Sequence, residues 1–277
     1  AGHQRNLGGD ELVTAKPLLY DLFAGGGGAA MGYSQAGFDI LGVDIKPSPR
    51  YPFRFIQMDW LEFMQRYMAG EFEPAAAFHA SPPCQGYSIM QNLPWLRNKE
   101  YPLLLLPVRE TLERIGLPYV LENVMGARHG GKGLTKRGLE AHGLQAGYLC
   151  GTMFQLPFYR HRLFAANWLW LAPGHPKHTV YDPAKMTVHR AIKEMPLVVP
   201  GHNNPVNTAW RQYHDGIHSL AAWQQGNGAE AAGVGVGHAK GWRLAAEAMG
   251  ISWMNRAELT QAIPPVFSRH IGEQLLR

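Results

Sequence analysis

Apolar runs and glycine turns alternate in the first part of the chain. Leu18 to Phe23 is an apolar run followed by glycines at 25–28, and the stretch from Ala29 to Ala36 has the pattern of a helix that ends at Gly37. A second apolar run extends from Phe38 to Asp44. This order of strand, glycine turn, helix and strand predicts a βαβ unit of a parallel, doubly wound sheet.

The same alternation extends to about residue 166. It predicts strands at 53–58, 75–79 and 119–121, helices at 60–69 and 103–115, and an antiparallel pair of strands at 147–154 and 162–166. Helical patterns return at 243–249 and 267–276. We therefore predict a tail at 1–16, an α/β domain at 17–166, a small inserted region at 167–240, and a C-terminal part at 241–277 that returns to the α/β domain.

The composition is typical of one globular core, since 46% of the 277 residues are hydrophobic and 17% are charged. No apolar run approaches the roughly 20 residues that span a bilayer. The first residues are polar and lack the apolar segment of a signal peptide. These features predict a cytoplasmic protein without membrane contact.

The net charge of +5 is concentrated in one segment. Residues 125–215 contain eleven Lys and Arg against four Asp and Glu, a net charge of +7, so the rest of the chain carries −2. A polyanion-binding surface requires such a concentration, although a solvated basic face has the same composition. Charge alone therefore leaves nucleic-acid binding and a plain soluble face equally open.

The two cysteines, Cys84 and Cys150, cannot build a disulfide framework. The spacing of cysteines and histidines along the chain is not typical of a zinc site. We interpret histidines such as His161, His175 and His178 as solvated or phosphate-facing, and we expect no metal.

The first candidate site is the glycine turn at 25–28. Glycines after a strand let the backbone approach a ligand and open a helix N-terminus toward it. Asp44, at the end of the second predicted strand, is placed to accept hydrogen bonds from a ribose. The pair favours a nucleotide-type cofactor over a plain structural turn.

The second candidate site is Cys84, in the loop SPPCQ at 81–85. Two prolines stiffen the approach to the thiol. Most cysteines are simply buried, but one just beyond the carboxyl end of a strand lies where ligands bind in open α/β sheets. We predict that Cys84 is a nucleophile.

Two further motifs are ambiguous when taken singly. The sequence LENV at 121–124 places an acid at another strand end, and FYRHR at 158–162 places two arginines at alternating positions. A capping carboxylate and surface salt bridges are the simpler interpretations of each.

Taken in order, DLFAGGGG at 21–28, SPPCQ at 81–85, ENV at 122–124 and the arginine motif resemble the cytosine-5 DNA methyltransferase family. EAMG at 247–250 and QAIPPV at 261–266 occupy the places of the family's last two motifs. The resemblance covers roughly 17–165 and 241–277 and looks most like compact phage or prophage members. It implies the Rossmann-like fold of class I S-adenosylmethionine-dependent methyltransferases, with 17–166 catalytic and 167–240 a small target-recognition region.

The resemblance implies a mechanism. Cys84, as thiolate, would add to carbon 6 of a cytosine flipped out of double-stranded DNA, and protonated Glu122 would hydrogen-bond ring nitrogen 3. Carbon 5 would then take a methyl group from S-adenosylmethionine. The remaining catalytic positions are Arg160 and Arg162, which would position the base, and Gln85 and Ser88 in the closing loop.

The resemblance also implies a cofactor pocket. Asp44 would bind the ribose, and Asp59 and Trp60 would flank the adenine. The remaining positions are Phe23, Gly25, Gly27, Gly28, Ile45, Pro83, Leu104, Pro264 and Pro265.

Two departures from the family pattern bear on these positions. Phe158 stands where the arginine motif usually has Gln, which removes one polar contact. Ile263, Pro264 and Pro265 replace the usual Gly-Asn-Ser turn, and prolines cannot supply backbone donors to the cofactor. A modified cofactor carrying a group larger than methyl is therefore an alternative.

The leading hypothesis is a monomeric DNA cytosine-5 methyltransferase with a short recognition sequence, alone or beside a restriction enzyme. The family's tRNA-methylating branch is a second hypothesis, but it carries a Cys-Phe-Thr element that this sequence lacks. A non-catalytic binding module is a third, but degenerate members usually lose the cysteine or the glutamate, and both are present here.

Overall fold

The computed structural model describes residues 15–87, 100–128, 144–156, 158, 160–176, 234–235, 238–239 and 242–277. A seven-stranded sheet forms its centre, in the order β3-β2-β1-β4-β5-β7-β6. The strands are β1 (Leu18–Leu22), β2 (Asp39–Asp44), β3 (Arg54–Gln57), β4 (Ala77–Ala80), β5 (Tyr119–Asn123), β6 (Gln145–Leu149) and β7 (Arg162–Ala166). A separate hairpin pairs β8 (Val234–Gly235) with β9 (His238–Ala239).

Six α-helices lie in the described part of the chain. They are α1 (Gly28–Ala36), α2 (Trp60–Met68), α3 (Leu105–Ile115), α4 (Trp242–Met249), α5 (Arg256–Gln261) and α6 (Pro265–Leu275). Local chemistry sets several of their ends. Asp59 caps α2, Asn255 and Glu258 form a reciprocal capping box on α5, and Pro265 begins α6, where its missing N–H costs nothing.

Helices cover both faces of the sheet. On one face, Tyr20, Leu22 and Phe78 pack with Phe63 of α2 and Val108 of α3. On the other face, strand residues pack with α1 and α6, among them Leu19, Ile40, Tyr33, Phe267 and Ile271. The prediction of a doubly wound α/β sheet is confirmed.

Strand direction determines which chain ends meet at the site. Strands β1 to β5 are mutually parallel, and β7 is antiparallel to both β5 and β6. Leu163 of β7 pairs with Asn123, the last residue of β5. The beginning of β7 therefore lies at the same sheet edge as the carboxyl ends of β1, β4 and β5.

Helices α1 and α6 pack with very little space between them. A Cβ at Gly28 would overlap the carbonyl oxygen of Ile263, and one at Gly32 would overlap the carbonyl of Pro265 and the hydroxyl of Ser268. The Ser268 hydroxyl donates to the carbonyl of Ala29 at 2.8 Å. Helix α6 thereby packs closely against α1.

Two local predictions are corrected. The strand predicted at 147–154 ends at Leu149, and Gly151–Phe154 forms a 3-10 turn. A Cβ at Gly151 would overlap the carbonyl of buried Phe158, so the chain turns there over an aromatic ring. Helix α5 is an addition, because its six residues are too few for a clear helical period.

The predicted inserted region at 167–240 and the tail at 1–16 lie mostly outside the described residues. The described segment 167–176 contacts the rest of the chain: Trp170 donates its Nε1–H to the carbonyl of Gln145 at 3.0 Å, and the Leu171 amide donates to Gln274 of α6 at 2.8 Å. Among the described residues, no helix has both the length and the apolar character needed to cross a bilayer.

Candidate active site

The candidate site lies at the carboxyl edge of the sheet. The strand order reverses between β1 and β4, and ligands of open α/β sheets bind outside such a switch point. The glycine turn follows β1, the Cys84 loop follows β4, Glu122 is the next-to-last residue of β5, and Arg162 begins β7. Chain direction alone thus gathers four motifs that are up to 141 positions apart in the sequence.

Hydrogen bonds to the backbone fix the Cys84 loop. The Asn123 side-chain amide donates to the carbonyl of Pro82 at 2.9 Å, and the Tyr87 amide donates to the carbonyl of Cys84 at 3.0 Å. Asn123 is buried, so the bond is shielded from water. The asparagine of the ENV motif therefore ties the end of β5 to the Cys84 loop.

Glu122 and Arg162 form a buried ion pair. The Arg162 Nε and Glu122 Oε1 atoms are 3.1 Å apart, and the two side chains are only 11% and 8% exposed. Oε1 nevertheless lacks a well-aligned hydrogen bond within the described part of the chain. Burial raises the pKa of Glu122, and the Arg162 charge offsets part of that rise. The arrangement suits a carboxyl group that holds a proton.

Arg160 is buried and points toward α5. Its Nη2 donates to the carbonyl of Thr260 at 2.9 Å, while its Nε has no hydrogen-bond partner among the described residues. Burial holds the pKa of Arg160 well below its usual range. Arg160 therefore joins the C-terminal part of the chain to the site.

The half-buried Cys84 thiol responds to the same charges. Burial raises its pKa, Arg162 and Arg160 lower it, and Glu122 raises it. The three predicted partners therefore lie within electrostatic reach of the thiol. In the free protein the balance favours the protonated thiol at neutral pH.

A chain of buried polar groups continues behind Glu122. Ser81 hydrogen-bonds the Glu122 carboxyl group, the Ser81 hydroxyl lies 2.8 Å from Nε2 of His79, and the Tyr33 hydroxyl lies 3.1 Å from Nδ1 of His79. Burial lowers the pKa of His79 to about 3, so its ring is neutral. Two proton arrangements satisfy every bond, one with Ser81 donating to Glu122 and one with Glu122 donating to Ser81. The chain can accommodate both protonation states of Glu122.

Asp44 holds the glycine turn. Its Oδ2 accepts from the Gly25 amide at 3.0 Å, and its Oδ1 accepts from the Lys46 amide at 2.9 Å. Gly25 and Gly27 have φ of 51° and 83°, values that other residues adopt at a cost. Phe23 is an exception, with φ of 60°. The centroid of its ring lies 6.0 Å from that of the Trp60 ring.

The remaining residues of the predicted cofactor pocket differ in their exposure and surroundings. Ile45 is 61% exposed beside Asp44, and Asp59 precedes Trp60, with Oδ1 accepting from the Leu61 amide at 2.9 Å. Pro264 and Pro265, by contrast, are buried beside the glycines of α1. The half-buried residues Pro83 and Leu104 precede Cys84 and α3, respectively.

The two loop predictions differ in what the structure describes. Gln85 is exposed, next to Cys84. Ser88 lies outside the described residues. Both roles in a closing loop stay predictions.

Two side chains of the site, Tyr51 and Trp253, were not predicted. Tyr51 donates to Asp21 Oδ2 at 3.0 Å and fills the space above Gly42, and Trp253 donates to the carbonyl of Gly26 at 2.7 Å. Phe158 is a core residue with 1% exposure, which explains how the position usually held by Gln accepts it. Only the aromatic character of Tyr51 and Trp253 was visible in the sequence, whereas Phe158 was identified there as a departure from the family pattern.

Comparison with known proteins gave matches of fold alone. Neither a scan against protein-family models nor a search of curated proteins found a match. Similar solved structures include the Dnmt2 methyltransferase of S. pombe (15% identity, TM-score 0.54) and the methyltransferase EhMeth of Entamoeba histolytica (12% identity, TM-score 0.51). Each alignment covers 94% of this chain and 98% of the other. The chain has the Rossmann-like fold of these two methyltransferases, so the predicted fold class is confirmed.

Proposed function

We propose that this protein is a cytosine-5 methyltransferase that uses S-adenosylmethionine and acts on double-stranded DNA. One observation carries the proposal: the Cys84 loop, Glu122 and Arg162 meet at one sheet edge, beside a glycine turn held by Asp44. A nucleophile, a proton-holding carboxyl group and a fixed cation are the set that addition to a pyrimidine ring requires.

The residues around the glycine turn fit the cofactor. Asp44 is an acceptor for a ribose, and the Phe23 and Trp60 rings with exposed Ile45 supply apolar surface for an adenine. A Cβ at Gly27 would lie 2.9 Å from Pro52, so a larger residue would disturb the turn. When bound, S-adenosylmethionine supplies an electrophilic methyl group.

Carbon 5 of cytosine is a weak nucleophile until the ring loses its conjugation. Cys84, once deprotonated, adds through sulfur to carbon 6 and breaks the 5,6 double bond. Protonated Glu122 hydrogen-bonds ring nitrogen 3 and gives up its proton there as charge builds on the ring. Arg162 stabilises the Glu122 carboxylate that results.

Carbon 5 then carries electron density. The cofactor, when bound at the glycine turn, would supply the methyl group and leave as S-adenosylhomocysteine. Loss of the carbon 5 proton to a base re-forms the double bond and expels the Cys84 thiolate. Nitrogen 3 returns its proton to Glu122, and the chain through Ser81 and His79 keeps that carboxyl hydrogen-bonded in both states. The target base reaches Cys84 only outside the stacked duplex, so the proposal includes base flipping.

The choice of DNA rests on the motif set and on the basic segment at 125–215, much of which lies outside the described residues. Phosphate contacts by Lys and Arg would supply affinity there, and side chains of the inserted region would read base edges. The transferred group is proposed as plain methyl.

The deciding experiment supplies plasmid DNA and a tRNA pool together with S-adenosylmethionine bearing a deuterated methyl group. Both nucleic acids are then digested to nucleosides, and the masses of the nucleosides are measured by mass spectrometry. We expect labelled 5-methyl-2′-deoxycytidine from the plasmid. Labelled 5-methylcytidine from tRNA alone would move the substrate to RNA, and no label in either would overturn the function.

A second experiment tests the role of Cys84 directly. In a duplex containing 5-fluoro-2′-deoxycytidine, fluorine at carbon 5 cannot leave as the proton does, so the adduct to the enzyme persists. We expect a covalent protein–DNA complex that forms only with the cofactor and not with Cys84→Ser. A complex formed equally by that variant would assign the nucleophile to another residue.

A further inference from the structure

Three side chains of types that can ligate a metal meet at the outer part of the sheet edge. Cys150 directly follows β6, His161 directly precedes β7, and His175 lies in the segment after β7. Leu149 and Arg162 are paired in the β6–β7 ladder, so Cys150 and His161 are brought together by strand register. The Cys150 sulfur and one ring nitrogen from each histidine all lie within 4.8 Å of one another.

The two imidazoles have the spacing of metal ligands. Their Nε2 atoms are 3.2 Å apart, and two nitrogens bound to one tetrahedral zinc ion at 2.0–2.1 Å lie about 3.3 Å apart. The Tyr148 ring packs near both imidazoles, with centroids 5.8 Å from His161 and 5.4 Å from His175. The ring limits the orientations that the imidazoles adopt.

The turn that follows Cys150 fixes its position. Cys150 is completely buried and outside any disulfide, and its sulfur lies 3.3 Å from the Thr152 hydroxyl. A hydroxyl that donates to a coordinating thiolate is a common outer partner of metal ligands. The capping arrangement of the 3-10 turn Gly151–Phe154 fixes the backbone at this point.

We propose that Cys150, His161 and His175 bind a zinc ion. One thiolate and two imidazoles form a donor set that zinc prefers, and three protein ligands leave one tetrahedral position for a further donor. On binding, the Cys150 thiol releases its proton to solvent, and each neutral imidazole carries its remaining proton on Nδ1. This revises the expectation of no metal, because the three residues show no zinc-type spacing in sequence and are gathered only by the fold.

The site has a consequence for the arginines. His161 lies between Arg160 and Arg162 in sequence, and side chains alternate in direction along an extended chain. A zinc ion bound to His161 therefore fixes the backbone that carries both arginines, from the side opposite Glu122. The thiolate charge offsets part of the repulsion between the ion and the two guanidinium groups.

The test measures metal content of the purified full chain, without substrate or cofactor, so its outcome is independent of the proposed function. The protein is loaded with Zn²⁺, dialysed against metal-free buffer and measured by mass spectrometry of the elements. We expect about one zinc per chain, at least a tenfold loss in Cys150→Ser and His175→Gln, and full retention in Cys84→Ser. Cys84 is the matched control because it is the other cysteine of the chain.

Cobalt gives a second readout of the same ligands. Co²⁺ bound to a thiolate shows a sulfur-to-metal charge-transfer absorption in the near ultraviolet, which we expect in the parent protein and in Cys84→Ser but not in Cys150→Ser. Cys150 is buried, so Cys150→Ser could fail to fold. His175 is a half-buried loop residue, so His175→Gln removes a ligand with less risk to folding. Folded protein without zinc, or equal zinc in Cys150→Ser, would overturn the proposal.

Discussion

The two halves of the candidate site are held together by different forces. The charged half consists of Cys84, Glu122, Arg160 and Arg162; Glu122 and Arg160 are buried, and the Arg162 side chain is only 11% exposed. The glycine-turn half consists of residues 23–28 with Asp44 and Trp253, and hydrogen bonds to backbone groups hold it. Function in the first half should therefore respond to charge and pH, and in the second to volume and backbone contacts.

The largest effect is expected from the charged half. Cys84→Ser replaces a thiol with a hydroxyl group that hardly ionises at neutral pH, so methyl transfer should fall by at least about a thousandfold. Cofactor affinity, measured by calorimetry, should stay within about twofold because the glycine turn is unchanged. Initial rates of label transfer to DNA provide the measurement, and a loss smaller than tenfold would contradict the assignment.

The next largest effect belongs to the packing behind the glycine turn. A Cβ at Gly32 would overlap backbone and side-chain atoms of α6, and overpacking of this kind costs about 1–3 kcal/mol. We expect Gly32→Ala to lower the free energy of unfolding by about 2 kcal/mol, measured by denaturant titration. Gly174→Ala, where a Cβ meets nothing within 4 Å, is the control. Equal stability of the two variants would contradict the close packing of α1 against α6 at Gly32.

The third prediction, a pH profile, tests how the charge of Arg162 acts on the charged half. Arg162 lowers the pKa of Cys84 and that of Glu122. Arg162→Gln should therefore raise the pKa of both groups. The ascending limb of the profile, on which kcat/KM rises as the thiol ionises, should then move to higher pH. At neutral pH we expect a loss of about 10- to 100-fold, partly recovered as the pH increases.

The control for this profile is Arg162→Lys, which keeps the positive charge but not the geometry of the guanidinium group. Its limb should stay at the parent position even if its rate falls. The same assay, measured from about pH 6 to pH 10, serves all three proteins. An unchanged limb in Arg162→Gln would mean that the arginine acts only as a steric support.

The sequence predicted the frame of the fold well because the frame depends on local patterns. Apolar runs bounded by glycine and proline mark β1 to β5, and Asp59 and Gly116 mark ends of helices. The site motifs were predictable for a similar reason, since each lies at or just beyond a strand end at the same edge of the sheet. Strand direction then brings Arg162 next to Glu122, a contact that no single motif predicts.

Contacts made by fold geometry alone were not predictable. Asn123 reaches Pro82, Tyr51 reaches Asp21, and Trp253 reaches Gly26 across 227 positions of sequence. The grouping of Cys150 with two histidines depends on the β6–β7 register in the same way. Such contacts leave no period or spacing in the chain, because each partner lies on a different element.

The smallest effect should come from Trp253, which tests whether the glycine-turn half depends on a single backbone contact. Its Nε1–H donates to the carbonyl of Gly26 at 2.7 Å, and Met254 lies 3.0 Å from where a Cβ of Gly26 would be. Trp253→Phe removes one hydrogen bond of about 1 kcal/mol, so the Kd for the cofactor should rise about fivefold. Trp170→Phe removes an equivalent bond, to Gln145 at 3.0 Å, far along the chain from the turn. Calorimetry should show weaker cofactor binding in the first variant alone, because only its bond orients the turn; equal losses in both would reduce the Trp253 contact to general packing.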